Sequence, residues 1–441
     1  MNLTRRDALL STALAAALSP SELASAAPGS SMSHPTSDGV SRSATRVRGF
    51  SDPEMDFQLL RSLGVANYMG ASVGEVLAAS RNIKDGDPRT WPPAFVALGE
   101  QIVTLGRSAL KKQHLVSARD HFQRASMYYR AAEYYDDPVT ETSRAHGVVS
   151  RDLFLEAVRL MPWTTDVLQI PFEHVWLPGY FMRPAPTDAR PRKTIIVLTG
   201  FDGTAEELYF QTGAAALERG WNVLLAEGPG QTGLLRFHPR VSFRPDYEAP
   251  VGAMINYVLS RGDVDPQRLA LYGISYGGYF ASRAAAHDDR IKALVANSPI
   301  ADLRAYVVGF TGTDTATNPP PIKLEEIDNI PDQQLPPGMK LSLKMSLRRF
   351  GVDSIQAWLE RLREFQIGDA LRNIRCPSLA VVGEAEGPVS MALFESFSRS
   401  VSGPVTKRIF TQAEGADSHC QLANLPLSNA VIYDWLDEAL A

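Results

Sequence analysis

The sequence predicts an α/β protein built on a mostly parallel sheet that helices cover on both faces. The main observation is a series of short apolar runs separated by helical stretches, from TIIVLTG at residue 194 to SLAVVGE at residue 378. Continuous apolar strands are typical of sheets buried on both faces, and parallel strands need long crossover connections, usually helices. A second observation is the helical period of the chain before Trp163, which places a helical segment ahead of the sheet.

Length and composition narrow the class further. Of 441 residues, 44% are hydrophobic and 21% charged, as in ordinary globular proteins. One core rarely organises so long a chain, so we expect a large domain with an added subdomain or insertions. The net charge of -5, without a long Lys/Arg block, argues against a nucleic-acid partner. Because only Cys376 and Cys420 are present, we expect neither a disulfide framework nor a zinc site, and no motif indicates another cofactor.

The N-terminus has the layout of an export signal. Arg5 and Arg6 precede a modestly apolar run at 8–18, and small residues follow at 24–26. This predicts a twin-arginine signal peptide over 1–26, with the twin-arginine export machinery as a partner and a periplasmic or secreted location. The run is too short to span a bilayer, so we expect no stable membrane insertion after signal removal. An N-terminal extension of a cytoplasmic protein stays open as the alternative.

The remaining chain divides into five predicted parts. They are a disordered linker rich in Ser, Pro and Gly (27–45), a helical cap (46–165), the first part of the sheet domain (166–302), a lid insertion (303–365) and the second part of the sheet domain (366–441). The lid is predicted because a long stretch without periodicity inside a compact domain is usually functional. Nothing in the sequence decides whether the protein is a monomer or a homodimer.

Two local patterns leave questions for the structure. In the cap, Tyr128 and Tyr129 could line an aromatic substrate pocket, although an aromatic stripe at helical spacing is more often core. After Trp163, the stretch VLQIPFEHVWLPGYFMRP predicts two strands around a turn at Leu177–Gly179.

A serine between glycines carries the strongest chemical signal. The run LALYG leads into Gly273-Ile274-Ser275-Tyr276-Gly277-Gly278 and then into the helical YFASRAAAH. A strand that turns this sharply into a helix is a nucleophile elbow, in which strain exposes the serine hydroxyl above the sheet. The alternative is a serine that only caps a helix in a Gly-rich turn.

The chain order suggests the partners of Ser275. A serine hydroxyl needs a base that a third group orients, and after an elbow the order is Ser, then Asp or Glu, then His. His419 is the histidine that follows the last strands, so we expect it to be the base. The acid should lie about three residues past the end of SLAVVG, which favours Glu386 over Glu384. For Asp417, an Asx turn in the histidine loop is the better interpretation.

The tetrahedral intermediate needs hydrogen-bond donors for its oxyanion. We expect the backbone N–H of Tyr276, just after the nucleophile, and that of Phe201 in the loop LTGFDGTAEE. Asp202 in the same loop either shapes it or touches substrate. A small-molecule acyl compound is the expected partner of such a site.

Several motifs together resemble a known group. GFDGTAEE, EGPGQTG, VDPQRLALYGISYGGYFASRAA, GEAEG, SHCQ and SARDHFQRASMYYRAAEYY are similar to the α/β-hydrolase superfamily, and within it to the pseudooxynicotine hydrolases and the fungal yellowish-green pigment hydrolases. The resemblance covers most of the mature chain. It implies an α/β-hydrolase fold with helices capping a Ser-acid-His site, and hydrolysis of a carbon–carbon bond beside a ketone or shortening of a polyketide. Glu386, where Asp is commoner, and the export signal depart from the pattern.

The leading hypothesis is an exported serine hydrolase acting on an ester or a β-diketone. A transacylase would use the same three residues. A prolyl-oligopeptidase-type peptidase is similar around VDPQRLALYGISYGGY, but it usually carries a β-rich domain where this chain is helical. A non-catalytic binding protein would not need Ser275, Glu386 and His419 in this order.

Overall fold

The computed structural model describes residues 41–185, 190–311 and 321–441. The predicted signal peptide at 1–26 and most of the predicted linker lie outside the described residues. An eight-stranded sheet with helices on both faces follows a helical N-terminal region, which confirms the predicted fold class. In the part of the chain that the structure describes, no helix combines the length and the apolar character that crossing a membrane would require.

The helical cap contains five helices. They are α1 (Pro53–Gly64), α2 (Val73–Ser80), α3 (Trp91–Lys111), α4 (Leu115–Tyr134) and α5 (Glu141–Val158). The helices pack through apolar faces whose aromatic rings are fully buried, among them Phe95, Phe122 and Phe154. Asp52 caps the N-terminus of helix α1, and its carboxylate accepts hydrogen bonds from the backbone N–H groups of Glu54 and Met55.

The sheet follows the apolar runs of the sequence. Its strands are β1 (Thr164–Phe172), β2 (Val175–Arg183), β3 (Arg192–Leu198), β4 (Asn222–Ala226), β5 (Val264–Ile274), β6 (Ala293–Asn297), β7 (Ser378–Gly383) and β8 (Val405–Phe410). They lie in the order β1-β2-β4-β3-β5-β6-β7-β8. Strands β3 to β8 run parallel, and the β1–β2 hairpin extends the sheet through the antiparallel pair β2–β4.

The turn of this hairpin differs from the prediction at Leu177–Gly179. The chain reverses at Glu173 and His174, and Glu173 adopts a positive φ of 48°. Pro178 lies inside β2 opposite Gln169, and its carbonyl accepts a hydrogen bond from the N–H of Glu227 at 3.0 Å. The Pro-Gly pair is therefore part of a strand and not of the turn. The turn needs only the two residues between the paired strands, as in many tight hairpins.

Further helices follow the strands. They are α6 (Ala205–Leu208), α7 (Ala214–Glu218), α8 (Thr232–Phe237), α9 (Glu248–Leu259), α10 (Tyr276–Ala285), α11 (Leu303–Thr311), α12 (Pro337–Phe350), α13 (Ile355–Arg361), α14 (Gly387–Ser400) and α15 (Leu425–Ala439). The cap and α15 share a core with one face of the sheet, and α11 to α13 of the insertion share a core with the other. An ion pair between Arg348 and Asp137 joins the insertion to the cap.

Candidate active site

The turn that carries Ser275 lies between β5 and α10. Ser275 has a φ of 60° and a ψ of -124°, a backbone conformation that residues other than glycine rarely adopt. The residue stays partly exposed. Positions 273 and 278 on either side of this turn require glycine. A Cβ at Gly273 would collide with the carbonyl oxygen of Gly277, and one at Gly278 with the carbonyl oxygen of Ser298. The sequence thus folds into the predicted elbow for a steric reason.

The structure brings the three predicted residues into one hydrogen-bonded chain. The Nε2 atom of His419 is 2.9 Å from Ser275 Oγ, and its Nδ1 atom is 2.6 Å from Glu386 Oε2. Since a carboxylate only accepts, Nδ1–H donates to Glu386, which leaves Nε2 to accept from the serine hydroxyl. His419 and Glu386 are both buried, so water hardly competes for these bonds.

Of the two glutamates, Glu386 lies beside the His419 ring and Glu384 does not. Glu384 is exposed and accepts a hydrogen bond from the N–H of Gln412 at 2.9 Å, away from the histidine ring. Glu386 Oε1 accepts from the N–H of Gly383 at 2.8 Å, and its Oε2 accepts from Ser298 Oγ at 2.7 Å. The sequence analysis missed Ser298. Its position directly after β6, beside the end of β7, was the available signal.

The electrostatics of His419 reflect two opposing effects. Burial by itself lowers the pKa of His419, because it disfavours the charged imidazolium. Interactions with Cys420 and with the Glu386 carboxylate act in the opposite direction and raise the pKa of His419 above its ordinary value. An imidazolium that forms by taking the serine proton is therefore stabilised at this place.

The predicted oxyanion loop passes directly against Ser275. A Cβ placed on Gly200 would lie 2.7 Å from Ser275 Cβ and 3.0 Å from the backbone N of Tyr276, so only glycine allows this approach. The Phe201 ring centroid is 5.4 Å from that of Tyr276. The rings of Tyr276 and Phe201 are therefore neighbours beside Ser275, and the oxyanion role of their backbone N–H groups stays a prediction.

Asp202 has a supporting position in the same loop. Its carboxylate pairs with Arg61 at 2.9 Å, and its backbone carbonyl accepts from Arg130 at 2.6 Å and from the Thr232 hydroxyl at 2.8 Å. Burial opposes ionisation, but Arg61, Arg130 and other guanidinium groups hold the pKa of Asp202 well below its usual range. Of the two roles considered for Asp202, these contacts favour shaping the loop.

The structure corrects the expected substrate contacts of Tyr128 and Tyr129. The Tyr128 hydroxyl accepts from the N–H of Ser72 at 3.0 Å, and the Tyr129 ring packs so closely on Gly99 that a Cβ there would lie 2.8 Å away. Both side chains are buried inside the cap. Both tyrosines are therefore core residues of the cap, because the helix presents this aromatic face to its neighbouring helices.

A tyrosine of the insertion lies at the site instead. The Tyr306 ring centroid is 6.5 Å from that of His419 and 6.1 Å from that of Tyr276. It belongs to α11, which the sequence analysis assigned to the lid without singling out a side chain. This proximity depends on how α11 packs in the fold, which no local sequence pattern indicates.

The segment 41–45, predicted as linker, packs on the histidine loop. The N–H of His419 donates to the carbonyl of Arg42 at 2.7 Å, and the N–H of Ser41 donates to the carbonyl of Glu386 at 3.0 Å. The predicted linker thus ends earlier than position 45. Its composition provides little apolar surface, but backbone hydrogen bonds order these residues.

Asp417 anchors this segment, which corrects its interpretation as an Asx turn. Its carboxylate accepts from the N–H groups of Ala44 at 3.0 Å and Thr45 at 3.1 Å, and from the Thr45 hydroxyl. These partners lie 373 and 372 positions away in the sequence. No local pattern could have indicated them.

The described residues contain no group of three or more His, Cys, Asp or Glu side chains that could hold a metal ion. Cys376 and Cys420 are both free thiols.

Comparisons with known proteins agree with this fold. A model of the prolyl oligopeptidase family matches residues 214–330. Hydrolase ORFZ of Pyricularia oryzae is 34% identical over 349 residues, which are 75% of this chain and 82% of the relative. Hydrolase LUC6 of a Fusarium species is 30% identical over 419 residues, or 88% and 97% of the two chains. The crystal structure of 2,6-dihydroxy-pseudo-oxynicotine hydrolase superposes with a TM-score of 0.66 at 20% identity, covering 86% of this chain and 96% of that one.

The two fungal relatives match over most of their length, and the superposition with the solved structure likewise spans most of both chains. The chain therefore belongs to the α/β-hydrolase superfamily, in the branch of these fungal hydrolases, and is an enzyme of the hydrolase class.

Proposed function

We propose that this protein is a serine hydrolase in which Ser275 is the nucleophile, His419 the general base and Glu386 the orienting acid. It would cleave an ester, or a carbon–carbon bond beside a ketone, in a small aromatic or polyketide-like acyl compound. The observation that carries the proposal is the unbroken hydrogen-bonded path from Ser275 Oγ through the His419 ring to Glu386.

The reaction follows from this geometry. Ser275 Oγ attacks the carbonyl carbon while its proton passes to His419 Nε2, and the N–H groups of Tyr276 and Phe201 stabilise the oxyanion. In a ketone R–CO–CH₂–R′, the bond to CH₂ then breaks, and that carbon keeps the electron pair and takes the proton from His419. Water, deprotonated by His419, releases the acyl group as RCOOH, and the other product is CH₃–R′.

Aromatic rings around the nucleophile support the substrate class. The rings of Phe201, Tyr276 and Tyr306 form a series of contacts that ends at the His419 ring, with neighbouring centroids 5.4 to 6.5 Å apart. Such a surface suits a flat, apolar acyl group better than an extended peptide, which also needs backbone hydrogen-bond partners.

A panel of p-nitrophenyl esters, aryl 1,3-diketones and aminoacyl anilides tests the proposal. Ser275→Ala should abolish turnover and labelling by a fluorophosphonate probe, and the label on the wild-type protein should map to Ser275. Ser260→Ala is the matched control, because Ser260 is exposed at the end of α9 and donates only to Tyr257 O. Turnover that survives Ser275→Ala would exclude this mechanism.

A peptidase is the second candidate, because the prolyl oligopeptidase family model matches 214–330. The helical cap stands where those peptidases usually carry a β-rich domain. Turnover of the aminoacyl anilides above that of the diketones would favour the peptidase. An added alcohol that diverts the acyl group from water would instead indicate a transacylase.

We also propose export through the twin-arginine pathway, on the basis of Arg5 and Arg6 before the apolar run. Expression of the full chain in a bacterium should give shortened protein outside the cytoplasm. Replacing both arginines by lysine should retain the unprocessed chain inside. Equal export of both forms would contradict the proposal.

A further inference from the structure

A cavity of about 310 Å³ lies between the cap, helix α8 and helix α12 of the insertion. Residues from all three elements line it, among them Arg130, Tyr134, Asp202, Thr232, Met345 and Arg349. Asp202 directly follows Phe201 of the oxyanion loop, so the cavity adjoins the loop that passes the nucleophile.

Arg349 differs from the other buried arginines of this region. Its side chain is almost fully buried, yet it donates only to neutral acceptors, Gly230 O and Thr232 Oγ1, each at 3.0 Å. Its Nε has no hydrogen-bond partner, and no carboxylate of the described residues forms an ion pair with it. Arg61 pairs with Glu207 and Asp202, and Arg236 pairs with Glu133 and Glu206.

Two of the carboxylates that line the cavity are already engaged by other arginines. Both oxygens of Glu133 accept from Arg236, at 2.7 and 2.6 Å, and Asp202 Oδ1 accepts from Arg61 at 2.9 Å. Burial lowers the pKa of Arg349 to about 10, since the attraction of Asp202 does not offset the loss of hydration. A buried cation without a paired anion is costly, and an anionic ligand would reduce that cost.

The guanidinium also contacts the predicted oxyanion loop. It sits over the Phe201 ring, 5.2 Å from the centroid, and its partner Thr232 donates to the carbonyl of Asp202. We propose that Arg349 binds an anionic oxygen of the substrate, a carboxylate or an enolate, in this cavity. This inference rests on the proposed function and narrows its substrates to compounds with a negative charge near the scissile carbonyl.

Two p-nitrophenyl esters of similar size test it: the hemiglutarate, with an acyl carboxylate, and the neutral valerate. For the wild type, we expect kcat/KM to be higher for the hemiglutarate. Arg349→Gln should lower the ratio of the two kcat/KM values about 100-fold, as when one partner of a buried charge pair is removed. Arg348→Gln is the matched control, because its side chain pairs with Asp137 at the cap instead.

Two further measurements keep the test decisive. Arg349→Lys, which retains the charge, should recover part of the ratio, and sodium glutarate should inhibit valerate hydrolysis by the wild type more than by Arg349→Gln. A 1,3-diketone whose turnover by the wild type rises with enolisation would identify the enolate rather than the carboxylate as the preferred anion. If the wild type prefers the valerate, or the ratio is unchanged in Arg349→Gln, the inference is wrong while the serine mechanism stands. If neither ester reacts, the proposed function itself fails.

Discussion

The carboxyl edge of the sheet and the interface between cap and sheet are organised in different ways. At the edge, Ser275 directly follows β5 and Glu386 lies three residues beyond β7, so the groups are placed by strand ends. At the interface, buried ion pairs join distant residues, as Arg236 joins Glu133 across 103 positions. Short sequence motifs therefore indicate the residues at the sheet edge. The ion pairs at the interface depend instead on how whole elements pack, so no short motif indicates them.

The largest effect is expected at the edge, from loss of the base. His419→Ala should lower kcat on a p-nitrophenyl ester about 10⁴- to 10⁶-fold while the circular dichroism spectrum stays native. The double variant with Ser275→Ala should be no slower than the slower single variant, because the two residues act as one unit. A further hundredfold loss in the double variant would show that they act independently.

Glu386→Gln should have a smaller effect, about 10³- to 10⁴-fold in kcat, because the acid only orients and stabilises the imidazolium. Glu386 raises the pKa of His419, and a general base works only when deprotonated. Removing the carboxylate should therefore move the acid limb of the kcat/KM profile to lower pH. Glu384→Gln, which changes the exposed neighbour, is the control. If Glu384→Gln lost activity while Glu386→Gln kept it, Glu384 rather than Glu386 would be the orienting acid.

The interface can be broken separately through its charges. Arg236→Met leaves the buried carboxylates of Glu133 and Glu206 without their partner, so it should destabilise the fold by about 3–5 kcal/mol in urea unfolding. Arg268→Met removes a more exposed pair with Asp265 and should cost less than about 1 kcal/mol. Equal midpoints for both variants would mean that the interface charges contribute little to holding the cap.

The proximity of Ser275, His419 and Glu386 could be predicted from the sequence because its signals are local. The glycines around Ser275, the chain order to His419 and the spacing to Glu386 each follow from one strand end. Long-range contacts were out of reach: nothing near Asp417 in the sequence indicates that it binds 41–45, and nothing near Tyr306 indicates that α11 brings it to His419. The misplaced hairpin turn at Pro178 has a third cause, since a Pro-Gly pair can also lie within a strand when its partner strand tolerates the missing N–H.

The smallest effect on activity is expected at Ser298, which combines a position at a strand end with a long-range contact. Ser298 follows a strand end but acts through Glu386, to which it donates at 2.7 Å. Ser298→Ala removes one of three hydrogen bonds to a buried carboxylate, a loss of about 1 kcal/mol, so kcat/KM should fall only about 5-fold. The carboxylate charge is then less shared and attracts the His419 proton more strongly, so the acid limb of kcat/KM should move to higher pH. Glu386→Gln moves that limb the opposite way. A limb that shifts down, or not at all, in Ser298→Ala would mean that the hydroxyl contributes packing rather than charge stabilisation.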